Sequence, residues 1–137
     1  MPERTLILIK PDAFDRGLTG EVIRRFERKG LKIAALKLME VDVDLAERHY
    51  SEHKAKPFFP DLVEFITRGS LVAMVLEADG AIEAARQVIG ATNPLEAAPG
   101  SIRGDFATEI TFNLVHGSDS PNSADREVEL FFPELAG

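Results

Sequence analysis

One short run carries the residues best suited to chemistry: Asn113-Leu114-Val115-His116-Gly117-Ser118-Asp119. A free imidazole is largely neutral at cellular pH, and its lone pair can attack phosphorus, so His116 is a competent phosphoryl acceptor. Gly117 leaves room for an incoming group. Further on, Glu127 shares a helical stripe with Ala124, Val128 and Phe131, which aims a carboxylate inward. That carboxylate could orient the ring and steady its charge, with Ser118 relaying the contact. A single histidine beside a glycine in a turn is nevertheless more often structural, and His49 and His53 carry that plainer reading.

Other side chains could serve the same chemistry. Arg86 falls on the apolar side of a helical pattern and Arg103 in a glycine-containing loop, where guanidinium forks could clamp a polyphosphate; the alternative is two surface arginines. Lys10 directly follows an apolar run and would project from the end of a strand, either toward a site or as an ordinary solubilising lysine. In Pro57-Phe58-Phe59, Phe59 suits the core and Phe58 is free to stack on a base without selecting its identity, unless both are buried.

The elements that must position these groups are legible from periodicity. Residues 5–9 form a branched apolar run ended by Pro11, as in a strand buried on both faces. Thr19 is expected to cap a helix with Val22, Ile23 and Phe26 on one face and Gly30 at its end. Residues 31–39 read as a strand, and Asp42 as the cap of a short helix carrying Leu45, His49 and Tyr50. Phe59, Leu62, Val63 and Ile66 keep helical spacing up to Gly69, with Phe58 and Phe65 off the stripe; a strand over 71–76 follows. Asp79 is expected to cap a helix buried through Ile82, Ala85 and Ile89 and stopped by Gly90. Residues 91–108 show no period, only prolines and glycines among small and polar side chains, and so read as a long loop, of a kind usually functional or disordered. A short strand at 114–115 leads into the histidine turn, and Ser120-Pro121 opens the last helix.

Composition removes several alternatives. With 137 residues and 45% apolar content, one domain over 1–137 is expected, with a core that needs no staples. The absence of cysteine excludes disulfides, thiolate zinc sites and cysteine nucleophiles. The N-terminal Met-Pro-Glu-Arg runs into an apolar stretch too short for a signal peptide or a membrane span, so a soluble cytoplasmic protein is expected. A formal charge of −7 disfavours broad, sequence-independent nucleic-acid binding, which needs gathered Lys and Arg, and no specific nucleic acid is expected as a partner. No Gly-x-x-x-x-Gly-Lys-Ser/Thr loop and no Gly-x-Gly-x-x-Gly after a strand is present, so any nucleotide must be held by another architecture.

Taken together, Glu3-Arg4-Thr5, Ile9-Lys10-Pro11-Asp12, His49-Tyr50, Lys56-Pro57-Phe58-Phe59, Gly90-Ala91-Thr92-Asn93-Pro94, Pro99-Gly100-Ser101-Ile102-Arg103-Gly104-Asp105-Phe106 and the run from Asn113 through Ser120 resemble nucleoside diphosphate kinase, in that family's order and over about residues 3–132. The resemblance implies an α+β, ferredoxin-like βαββαβ fold: a four-stranded antiparallel sheet with helices on one face, extra helices and the long loop. It implies ping-pong transfer of the γ-phosphate from a nucleoside triphosphate, usually ATP, to His116 and then to a nucleoside diphosphate, with little base selectivity. By the same resemblance Lys10 and Asn113 are ribose contacts, Arg86, Thr92 and Arg103 phosphate contacts, and Tyr50 a neighbour of histidine and phosphate. Phe58 stacks on the base beside Leu62 and Ile110, while Ser118 and Glu127 support the histidine. Mg2+ is implied as a cofactor held mainly by the nucleotide phosphates, with no direct protein ligand.

The family pattern is departed from at Ala13, where glycine is usual, at Arg68-Gly69-Ser70, where Ser-Gly-Pro is usual, and in the short stretch after Phe132. The last bears on assembly, for which the resemblance implies a homo-oligomer, a hexamer ahead of a tetramer. Two rivals are an RNA-binding module on the same sheet, which would need exposed sheet aromatics and a basic face, and a histidine phosphocarrier, which would need no base-stacking Phe58 and no polyphosphate clamp.

Overall fold

The computed structural model describes residues 2–135; Met1, Ala136 and Gly137 of the expected 1–137 domain lie outside the described residues. Four strands, β1 (Glu3–Ile9), β2 (Lys32–Glu40), β3 (Ser70–Ala78) and β4 (Val115–Gly117), form one antiparallel sheet in the order β2-β3-β1-β4. Seven α-helices accompany it among the described residues: α1 (Pro11–Asp15), α2 (Thr19–Lys29), α3 (Val43–His49), α4 (Phe59–Thr67), α5 (Ala81–Ile89), α6 (Ile102–Phe106) and α7 (Pro121–Phe131). Reading β1-α2-β2-β3-α5-β4 gives the βαββαβ order of a ferredoxin-like α+β fold.

The apolar run at 5–9 is buried on both faces because the sheet has a core on each side. Ile7 and Ile9 point into a cluster with Val22 and Phe26 of α2 and Ala81, Ala85 and Ile89 of α5. Leu6 and Leu8 point the other way, into Ala46 of α3, Ile66 of α4 and Val128 and Phe131 of α7. The two helices of the βαββαβ unit thus occupy one face, joined there by Ala13 of α1 and Ile102 of α6, and α3, α4 and α7 cover the face that would otherwise be bare.

Several local expectations are corrected. Thr19 is not the cap of α2; Leu18 takes that position and Thr19 is already inside the first turn, its hydroxyl buried without a partner. Asp79 does not cap α5, because Gly80 adopts φ +66° there and the free N–H of Ile82 donates to Oε1 of Glu3 at 2.9 Å. That cap comes from the first strand, which no local pattern could reveal. Residues 91–108 are not uniformly loop: a 3-10 turn (Pro94–Glu96) and α6 lie within them, α6 being capped by Ser101, whose hydroxyl accepts from the N–H of Gly104 at 3.1 Å. Gly104 is required here, since a Cβ would stand 2.1 Å from the carbonyl oxygen of Ala98. Phe65, read as off the stripe, is buried, because α4 is covered on a second side where Phe112 and Lys10 meet it.

Asp42 and Ser120 cap α3 and α7 as expected, and Gly30 and Gly90 end their helices with φ of +98° and +95°. The last strand begins one residue later than expected, because Leu114 adopts φ +75°, a conformation costly for a leucine. Its N–H donates to Oδ2 of Asp12 at 3.1 Å, and its carbonyl accepts from the N–H of Lys10 at 2.9 Å. Two bonds from the turn after β1 thereby hold the residue that sets the entry into β4.

Candidate active site

The β1–β4 ladder seats the histidine. Leu8 pairs with His116, Ile7 with Gly117 and Ile9 with Val115, so the end of the buried first strand and its following Lys10 lie against the histidine turn. Residues from α3, α4, α5, α6 and α7 close around it, forming a cavity of about 600 Å³, within the range of small-molecule sites. Every residue proposed from sequence lines that cavity except Ser118: Lys10, Tyr50, Phe58, Leu62, Arg86, Thr92, Arg103, Ile110, Asn113, His116 and Glu127.

His116 is fixed at one nitrogen. Its Nε2 lies 2.9 Å from Oε1 of Glu127, and the Ser118 hydroxyl donates to that same oxygen at 2.7 Å. Ser118 therefore does not relay a contact between ring and carboxylate; it braces the carboxylate from behind, fully buried, while its oxygen accepts from the N–H of Leu6 at 3.1 Å. Burial pushes the Glu127 carboxyl up, but the hydrogen bond and charge of His116, with the Ser118 bond, outweigh it and hold the carboxyl below its ordinary value. An ionised Glu127 accepts a proton-bearing Nε2 and leaves Nδ1 with a free lone pair.

The two arginines are unlike. Arg103 is buried, donating from Nε to the Asn113 carbonyl at 3.2 Å, from Nη1 to Gly90 at 3.2 Å and from Nη2 to Val115 at 2.6 Å. It buckles the 91–114 segment to β4, and burial, with Arg86 nearby, lowers its pKa to about 10. Three of five N–H groups are committed, so about two remain for a ligand in the cavity. Arg86 is exposed and, among the described residues, tied by a single long 3.4 Å bond from Nη1 to the Gly117 carbonyl. Expected on the apolar side of α5, it escapes burial by reaching across the helix end to the histidine turn.

Lys10 donates to Oδ1 of Asn113 at 2.5 Å, and Nδ2 of Asn113 donates to the Thr92 carbonyl at 3.1 Å. Burial lowers the Lys10 pKa to about 8, against the opposing pull of Asp12 and with help from Arg103. At the mouth, Phe58 and Ile110 are 44% and 58% exposed, an apolar pair left facing solvent beside Leu62. The Tyr50 hydroxyl is held above its ordinary pKa by burial and by Glu127, so it is a proton-bearing donor.

Three residues were missed from sequence. His49 is buried edge-on to His116, with ring centroids 4.7 Å apart and planes at 82°, and burial lowers its pKa to about 3. Arg126 reaches Oε2 of Glu127 at 3.6 Å and also donates to the carbonyl of Arg48 at 3.2 Å, tying α7 to α3. Asp119 lines the cavity, its carboxyl held low by Ser123 and, against burial, by Arg86. The adjacency of His49 to Tyr50 and the place of Asp119 at the end of the histidine run were the local pointers; Arg126 depends on how the helices pack.

The geometry finds close counterparts among known proteins. A family model described as nucleoside diphosphate kinase matches residues 3–136. The chain is 64% identical over 134 residues to a nucleoside diphosphate kinase of Parafrankia sp., covering 98% of each protein. It is 61% identical over 136 residues to one of Saccharopolyspora erythraea, covering 98% of this chain and all of the relative. Among solved structures, a nucleoside diphosphate kinase family protein from Babesia bovis superposes with a TM-score of 0.94 at 49% identity, covering 96% of this chain and 90% of the other. A halophilic nucleoside diphosphate kinase from Halobacterium salinarum in complex with CDP gives 0.94 at 48%, covering 96% and 88%.

Proposed function

The chain belongs to the nucleoside diphosphate kinase family, and on that premise we propose how its residues move a phosphoryl group between nucleotides. The γ-phosphorus of a nucleoside triphosphate, usually ATP, bonds to Nδ1 of His116 as its bond to the bridging oxygen breaks, and the diphosphate leaves with that electron pair. In the second half, a β-phosphate oxygen of a different nucleoside diphosphate attacks the phosphohistidine and the ring recovers its lone pair. The observation that carries this reading is the 2.9 Å pairing of Nε2 with Glu127, which leaves Nδ1 as the nucleophile and places a negative charge behind the ring as it becomes positive.

Binding energy goes to the parts all nucleotides share. Arg86, Thr92 and the uncommitted N–H groups of Arg103 hold phosphate oxygens, Tyr50 donates beside them, and the Lys10–Asn113 pair takes the sugar hydroxyls. Phe58 stacks on the base with Leu62 and Ile110 as apolar neighbours; none of these three reads a hydrogen-bond edge, which accounts for low base selectivity. The CDP carried by the Halobacterium relative supports a nucleotide as the occupant.

Mg2+ fits as a companion of the nucleotide. Asp119 is a single ionised carboxylate at the cavity wall rather than a cage of oxygens, which suits an ion that keeps its waters and phosphate ligands. When bound it neutralises charge on the β- and γ-oxygens; the residues named above supply positioning.

We read residues 1–137 as one catalytic domain working in the cytoplasm, in keeping with the finding that no helix among the described residues is long and apolar enough to cross a membrane. We propose a homo-oligomer, for which Leu36 and Leu38, 50% and 63% exposed on the edge strand β2, and Leu95, 78% exposed, offer apolar contact surface; the order of hexamer ahead of tetramer follows the family resemblance alone. Incubation with γ-labelled ATP followed by several unlabelled diphosphates tests the activity. Label should pass to protein and then to any diphosphate offered; label retained on the protein, or passed only to a second protein, would support a phosphocarrier instead.

A further inference from the structure

His49 on α3, His116 on β4 and Glu127 on α7 come from three separate elements, yet each offers a ligand atom within 4.8 Å of the others. His49 is 4% exposed, lines the cavity, and neither of its ring nitrogens has a hydrogen-bond partner among the described residues. A phenyl ring would fill the same edge-on packing against Tyr50, His116 and Phe131 without two buried, unpaired nitrogens. A neutral imidazole here carries one uncommitted lone pair within 4.8 Å of two further ligand atoms.

We propose that His49, His116 and Glu127 form a three-ligand site for a zinc-like divalent ion, and that its occupancy silences the phosphoryl-accepting histidine. Two imidazoles and one carboxylate are a donor set that zinc accepts, with the cavity side left for a water as fourth ligand. Zinc bonds of about 2.0–2.2 Å put tetrahedral ligands about 3.3 Å apart, so side-chain shifts on the order of an ångström convert the present cluster into a coordination sphere. The Nε2 proton of His116 leaves to solvent as the metal takes its place.

An ion on that ring draws electron density from the second nitrogen and consumes the carboxylate that balances the ring's charge. Magnesium prefers oxygen ligands and does not compete for two imidazoles, so the site separates a silencing ion from the one that travels with nucleotide. The silencing rests on His116 being the nucleophile; the binding rests only on the three side chains.

Equilibrium dialysis of the full chain against Zn2+, without nucleotide and with excess Mg2+, tests the binding directly. About one zinc per chain is expected, with His49→Phe weakening it about 100-fold or more, since even supporting residues around metals are worth about 10- to 100-fold. His49→Gln, which keeps a polar side chain, serves if His49→Phe fails to fold, and His53→Ala should bind zinc as the unsubstituted chain does. Visible absorption of Co2+ bound in place of zinc should disappear with the same substitutions. Zinc should inhibit phosphoryl transfer reversibly by chelator, at a concentration raised in parallel by the His49 substitution. Equal zinc binding with and without the His49 side chain, loss of binding in His53→Ala, or undiminished transfer at saturating zinc would overturn the proposal. Transfer measured in chelated buffer tests the kinase reading by itself.

Discussion

His116 and Ser118 share a single acceptor, Oε1 of Glu127, at 2.9 Å and 2.7 Å. Two residues two positions apart, both on the side of the sheet that meets α7, are thus locked to one carboxylate on that helix. Replacing that carboxylate by the isosteric amide keeps the volume and removes the charge. Glu127→Gln is expected to lower kcat about 100-fold with a far smaller change in KM, because the lost interaction strengthens only as the ring becomes positive. Steady-state kinetics with one donor–acceptor pair checks it.

Arg86 and Arg103 should separate by stability. Arg103→Ala removes a donor from three carbonyls, of which only that of Asn113 keeps a backbone donor among the described residues, the N–H of Val115, and is expected to cost about 2–4 kcal/mol, while Arg86→Ala, at an exposed position with one long bond, should stay within about 0.5 kcal/mol. Both should depress phosphoryl transfer. Denaturant unfolding of the two variants beside their kcat/KM values gives the comparison.

Lys10 gives stability a dependence on alkaline pH. Its folded pKa is lowered to about 8 from 10.5, so between those values the unfolded chain binds more protons than the folded one and this group makes stability rise with pH. Below about pH 8 the buried ammonium is a fixed cost. Lys10→Met should therefore be relatively more stabilising at pH 7 than at pH 10.5, as read from the difference in Tm between variant and unsubstituted chain at the two pH values.

Phe58→Ala should raise KM for purine and pyrimidine nucleotides alike. Stacking on an aromatic is worth about 1–3 kcal/mol per base, so increases of about 5- to 150-fold are expected with the order among bases little changed. KM values for four diphosphates decide it; a rise confined to one base would mean that the ring reads identity.

The fold was readable where periodicity and burial coincide. The branched run at 5–9, the α5 stripe and the inward Glu127 are each dictated by which face must meet a core. Caps were readable only when supplied locally: Asp42 and Ser120 serve their own helices, whereas the first turn of α5 is capped by Glu3, distant in sequence. Among site residues, His116, Arg86 and Phe58 stood out by type and position, but Asn113, Thr92 and Ile110 carry no chemistry visible in isolation and were reached through resemblance. His49 was passed over because helical spacing accounts for a buried histidine on α3, and nothing local places its ring 4.7 Å from that of His116. The structural role of Arg103 was equally hidden, since its three acceptors are backbone atoms common to every residue.

The most direct test is to isolate the chain after brief exposure to ATP and Mg2+ and locate the phosphate by peptide mapping and 31P–15N coupling. The phosphate should be acid-labile, reside on His116 at Nδ1, leave quantitatively on adding a nucleoside diphosphate, and never form in His116→Ala. Phosphate on another residue, or on Nε2 with the Glu127 pairing broken, would contradict the account.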